Sequence, residues 1–128
     1  MTPDQIISQI AKFESKLLTR GQSGVEIAPP VVLSETIVKI RVLLLQLVDH
    51  LAEAELDYRR SKAARYDKFI KEGMKKSPAI DSLDFEQDLI EKRVAAERLR
   101  NYVKYVDSLV SSVQTAIRVQ TGIAKNEL

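Results

Sequence analysis

Catalysis needs nucleophiles, proton-transfer groups or metal ligands held close together, and few of the 128 residues of this chain suit those roles. There is no cysteine, which removes thiol nucleophiles, thiolate metal sites and disulfides at once. The only histidine, His50, lies among Asp49, Leu51 and Glu53, with no second histidine to complete a metal site or a triad. It reads as a partly exposed helix residue. Glu53/Asp57 and Asp84/Asp88 have the i,i+4 spacing that sets two carboxylates on one helix face, where they could hold a divalent cation or exchange protons. On soluble helices such pairs more often form a solvated face or bind cationic side chains. Gly21-Gln22-Ser23-Gly24 lacks the Gly-Lys-Ser/Thr that completes a phosphate loop. We therefore expect no catalytic residue, no metal and no cofactor; the chain reads as a non-enzymatic protein that binds or assembles.

Charge placement says more. The net charge is only +2, yet residues 34–57 sum to −3, residues 58–76 to +6, residues 81–97 to −4 and residues 98–128 to +3. The basic block carries Arg59, Arg60, Lys62, Arg65, Lys68, Lys71, Lys75 and Lys76, with Tyr58, Tyr66 and Phe69 interleaved. Cations that follow a phosphate backbone beside rings that stack on bases are the footprint of a single-stranded nucleic-acid binder. The candidate contact residues are Arg59, Arg60, Lys62, Arg65, Tyr66 and Lys68. A structural reading is equally open, because in a helical hairpin the basic end of one helix lies beside the acidic start of the next and the charges neutralise each other.

These residues must be positioned by helices. Aromatic residues make up 5% of the chain against 45% for all hydrophobic types, so burial falls to Leu, Ile, Val and Ala, the composition of helical bundles. Thr2, Pro3 and Gln5 spell an N-cap with a capping box, and Ile6, Ile10, Phe13 and Leu17 follow at helical spacing. Helix one is expected over 1–20. Gly21 to Pro30 reads as part of a linker over 21–33 that would let helix one reach its own chain or a neighbour. Ser34 is the expected cap of helix two, where Ile37, Ile40, Leu44, Leu47, Leu51, Ala54 and Tyr58 alternate at spacings of three and four. That seam falters at Ser61 and Arg65, and apolar residues return one place late at Tyr66, Phe69 and Ile70, so the face rotates or its partner changes. Gly73 to Pro78 ends the helix.

Helix three is expected from Asp81 or Ser82, with a seam of Ala96, Leu99, Val103, Val106, Val110, Val113, Ile117, Gln120 and Ala124. The expected fold is all-α: a single domain with an N-terminal helix and a long antiparallel, coiled-coil-like helical hairpin over 34–128. Helices of that length expose more side surface than one chain covers, which implies a homo-oligomer. Absence of cysteine suits a reducing cytoplasm. The N-terminus lacks the pattern of a secretory signal, and the most apolar run, Val42 to Val48, is far shorter than a membrane span, so no membrane partner is expected.

Ala52-Glu53-Ala54-Glu55-Leu56-Asp57-Tyr58, followed by a charged segment and by the pattern from Leu99-Arg100-Asn101-Tyr102 through Ile117 to Ile123-Ala124-Lys125, resembles the UvsY family of T4-type phage recombination mediators. The resemblance covers about the last 80 residues. It implies a small helical protein of the bacterial host cytoplasm that forms a ring-like homo-oligomer, binds single-stranded DNA, and helps load a RecA-like recombinase onto strands covered by single-strand-binding protein. Where that family carries basic residues just before Leu-Asp-Tyr, this chain has Glu53 and Glu55. A DNA contact would have to lie instead at Arg59, Arg60, Lys62 and Arg65. The other reading is a helical assembly or adaptor protein that works through protein contacts alone.

Overall fold

The structure, a computed structural model, describes residues 1–21 and 24–126, with the side chains of 19–25 and 123–126 outside the description. Thr2 opens α1 (Pro3–Glu14) as expected: its hydroxyl accepts from the Gln5 N–H at 3.2 Å, and the Gln5 side chain accepts from the Thr2 N–H at 2.9 Å. Two otherwise orphaned donors are satisfied there. The helix stops six residues short of the expected 1–20. Ser15 turns its hydroxyl back onto the Lys12 carbonyl at 2.7 Å, and the N–H groups of Lys16 and Leu17 bond three residues back. Short hydroxyl side chains compete with the helix ladder in this way. Leu17, expected on the helix face, is buried beyond the helix end.

The end of the expected helix one and the start of the expected linker form an antiparallel pair, β1 (Leu18–Gly21) and β2 (Gly24–Ile27), in the register Leu18 to Ile27 and Gly21 to Gly24. Gln22 and Ser23, between the strands, lie outside the described residues. Among the described residues the regular structure is thus helical but for this hairpin. The Ala28 N–H donates to the Leu17 carbonyl at 2.9 Å and extends the pairing past the strands. Helix α2 (Pro30–Lys71) begins four residues before the expected cap, so Ser34 sits inside it. A proline at the first helical position has its φ preset and no N–H to satisfy, which makes Pro30 the better start.

At its far end α2 closes in a Schellman turn. Gly73 takes φ +94° and donates to the Ile70 carbonyl at 3.1 Å, while the Met74 N–H reaches the Phe69 carbonyl at 3.0 Å. The expected third helix is in fact two: α3 (Lys76–Leu83) and α4 (Gln87–Asn126). Pro78, read as a stop, lies in the first turn of α3, where N–H groups have no intrahelical partner anyway. The N–H groups of Asp84, Phe85 and Glu86 each bond three residues back and make the turn into α4.

The chain divides into two compact units. The first, Met1–Val48 with Val103–Leu128, holds the thicker core: Ile6 and Ile10 of α1, Ala28 just after β2, Leu33, Ile40 and Leu47 of α2, and Val106, Val110 and Val113 of α4 are buried. Lys39 of α2 caps the Phe13 ring from 5.6 Å, and the Tyr105 hydroxyl donates to the Glu14 carboxylate. In the second unit, Asp49–Tyr102, the buried side chains come from α3 and α4, namely Ala79, Leu83, Leu89, Ala96 and Leu99. The seam positions Ile37, Ile40 and Leu47 are buried and Leu44, Leu51, Ala54 and Tyr58 half-buried; on α4, Gln120 is exposed and Ala124 lies outside the described side chains. No helix among the described residues is long and apolar enough to cross a membrane.

Candidate nucleic-acid interface

The faltering of the α2 seam at Ser61 and Arg65 marks a change of chemistry along one face. Ser61 accepts from the Lys92 ammonium of α4 at 2.8 Å, and Lys92 also meets Asp57 at 3.2 Å. Arg65 forks onto Glu86 at 2.5 Å and Asp88 at 2.9 Å. Arg100 donates to Glu55 at 2.6 Å. Rising positions on α2 meet falling positions on α4, so within this unit the two helices run antiparallel and polar pairs continue where apolar contacts stop. Tyr66, one place on, turns instead toward α3.

This resolves the expected binding set into three groups. Arg65 is an ion-pair partner of Glu86 and Asp88. Arg59, Lys62 and Tyr66 share a face of α2 and, with Ala63, form one wall of an open groove whose other wall is Lys76, Ile80 and Leu83 of α3. Arg60 and Lys68 are exposed but lie roughly 100° and 180° around the helix from Arg59, and neither lines the groove.

Two smaller concavities continue this groove. Lys62 and Leu83 also border one that holds Tyr58, Leu89, Ile90, Asp84 and Arg93. Arg59, Tyr58 and Arg93 border another beside Ala96, Glu97, Glu55 and Arg100. The result is a continuous track from Arg93 past Arg59 and Lys62 to Lys76. None of these four cations has an ion pair among the described residues; Lys62 lies over the Tyr58 ring at 5.8 Å. Two carboxylates without an ion pair, Asp84 and Glu97, edge the track. The half-buried Tyr66 ring faces the groove beside the apolar Ala63, Ile80 and Leu83. Such an arrangement accepts an anionic chain along its rim and a flat or apolar group on its floor.

Sequence reasoning missed Arg93 as a contact and left Lys76 outside the candidate set. Lys76 could have been found by reading Ala79 and Leu83 as the buried stripe of a short helix folding back on α2. Arg93 lies one turn from both Leu89 and Ala96, on the edge of the α4 stripe. Of the residues once weighed for chemistry, Asp57 and Asp88 are engaged by Lys92 and Arg65, while His50 is half-buried. Among the described residues no three His, Asp or Glu side chains cluster as metal ligands. Compared with known proteins, the chain matches no family model, no curated protein and no solved structure.

Proposed function

We propose that this protein is a non-enzymatic, self-assembling binder of single-stranded DNA that acts as a recombination mediator. The observation that carries the binding half is the track of Arg93, Arg59, Lys62 and Lys76, cations without carboxylate partners running beside the Tyr66 ring. From Arg59 to Tyr66 the groove follows about 10 Å of helix, enough for only a few nucleotides. One copy then binds weakly, and several copies on one strand bind by multivalency. Self-assembly is supported by a second apolar stripe on α2, where Val31, Val38, Val42 and Leu45 remain exposed at heptad-like spacing and suit the same helix of a second copy in a coiled-coil contact. The UvsY-like sequence pattern adds a RecA-like recombinase and a single-strand-binding protein as partners.

Titration of a fluorescent single-stranded oligonucleotide at several salt concentrations tests the binding half. Phosphate contacts produce a log–log slope of about −0.7 per contact, so four contacts predict a slope near −3. The adaptor reading is favoured by Arg65, whose charge is spent on Glu86 and Asp88, and it expects no oligonucleotide affinity at any salt.

A further inference from the structure

Phe85 is 84% exposed, more than any other large apolar side chain among the described residues. It stands in the turn between α3 and α4, held by backbone bonds from Phe85 to Ser82 at 3.2 Å and from Glu86 to Leu83 at 3.3 Å. The ring adds nothing to that turn, which a small polar residue would favour. It is presented on a fixed backbone, so little loop freedom is lost if it is covered. Asp81 and Asp84 precede it, both exposed and without an ion pair among the described residues.

We propose that Phe85 of one copy docks in the α2/α3 groove of a second copy, on the floor of Ala63, Ile80 and Leu83, with Asp81 and Asp84 facing the groove's Arg59, Lys62 and Lys76. The charges are complementary: an apolar ring preceded by two carboxylates enters an apolar floor rimmed by three cations. Because Leu83 walls the groove and Phe85 follows two residues later, each chain carries plug and socket side by side. A two-fold contact therefore lets each copy give one ring and receive one. Two rings bury roughly 150–250 Å² each, well below the ~1,200 Å² of a stable dimer interface. The contact is weak alone and counts as one of several in a larger assembly. It rests on the self-assembly half of the proposed function and, because it fills the groove assigned to the strand, belongs to the assembly before nucleic acid binds.

The test uses the full chain with Phe85→p-benzoylphenylalanine, mixed with ¹⁵N-labelled native chain and irradiated without oligonucleotide. Crosslinks joining light to heavy peptides should map to residues 59–66 and 76–83. A heavy chain carrying Ala63→Arg, an exposed helix position where Arg keeps the helix, should cut that crosslink about tenfold or more by filling the socket. Crosslinks confined to one chain, mapping elsewhere, or unchanged by Ala63→Arg overturn the proposal. Since no oligonucleotide is present, a protein that fails to bind DNA still passes or fails this test on its own terms.

Discussion

Arg59 and Arg65 lie six residues apart on one helix and differ in what they face. Arg65 meets Glu86 and Asp88, while Arg59 opens onto the groove and makes no ion pair among the described residues. Arg65→Ala should therefore lower the melting temperature slightly, since partly exposed bridges contribute under ~1 kcal/mol each, and leave oligonucleotide affinity nearly unchanged. Converting Arg59, Lys62, Lys76 and Arg93 together to Ala should do the reverse. Binding should weaken by orders of magnitude and the salt slope should flatten by up to about three units, with melting almost unaffected because Ala is the better helix former. Thermal melts and anisotropy on both proteins check the pair. Equal loss of binding in the two variants would show that Arg65 also contacts the strand.

At the scale of elements, two glycines make opposite demands. Gly73 holds φ +94° in the turn that ends α2, a conformation that costs an L-residue roughly 1–2 kcal/mol, so Gly73→Ala should destabilise by about that amount. Gly122 lies inside α4 with nothing near the position of an added Cβ. Gly122→Ala should raise stability by about 0.5–1 kcal/mol through helix propensity. Urea melts with unchanged slope would measure both. The strand pair constrains α1 in the same spirit. Because β1 and β2 replace the expected loose linker, and Ile6 and Ile10 are fully buried, α1 belongs to the core of the first unit. Deleting residues 1–30 should expose Leu33, Ile40 and Val106 and cost the protein its cooperative melt. Retention of a sharp transition would instead favour a freely exchanging helix.

For the whole molecule the question is what covers the apolar surface that one chain leaves bare. Leu47 is fully buried whereas Leu45, two residues away, is 68% exposed. Leu47→Asp places an unpaired charge in the core and should unfold the protein at a cost of several kcal/mol. Leu45→Asp should leave a monomer's fold within about 0.5 kcal/mol, yet break any assembly built on the exposed α2 stripe. Sedimentation at micromolar concentration separates the cases: the parent should exceed its 14.5 kDa monomer mass, and Leu45→Asp should fall toward it with its circular dichroism unchanged. A parent that sediments as a stable monomer would remove the basis for self-assembly.

Periodicity located the body of each long helix, though the expected caps missed where α2 and α4 begin. The box of Thr2 and Gln5, the buried Ile37, Ile40 and Leu47, the buried Val106, Val110 and Val113 and the turn at Gly73 are all local signals, written in spacings of three and four or in one residue's allowed φ. Three features depended on a partner outside the stretch that carries them. A strand pair forms from Leu18 to Ile27 because each edge satisfies the other's backbone groups, and neither stretch announces that alone. Lys76 joins Arg59 only because α3 folds back against α2 after the glycine turn. Above all, one run of positive charge divides into bridge and groove according to which residues of α3 and α4 come opposite it. Charge is visible in a sequence, but its partner is a fact of three dimensions, and the partner decides whether an arginine holds the fold together or waits for a ligand.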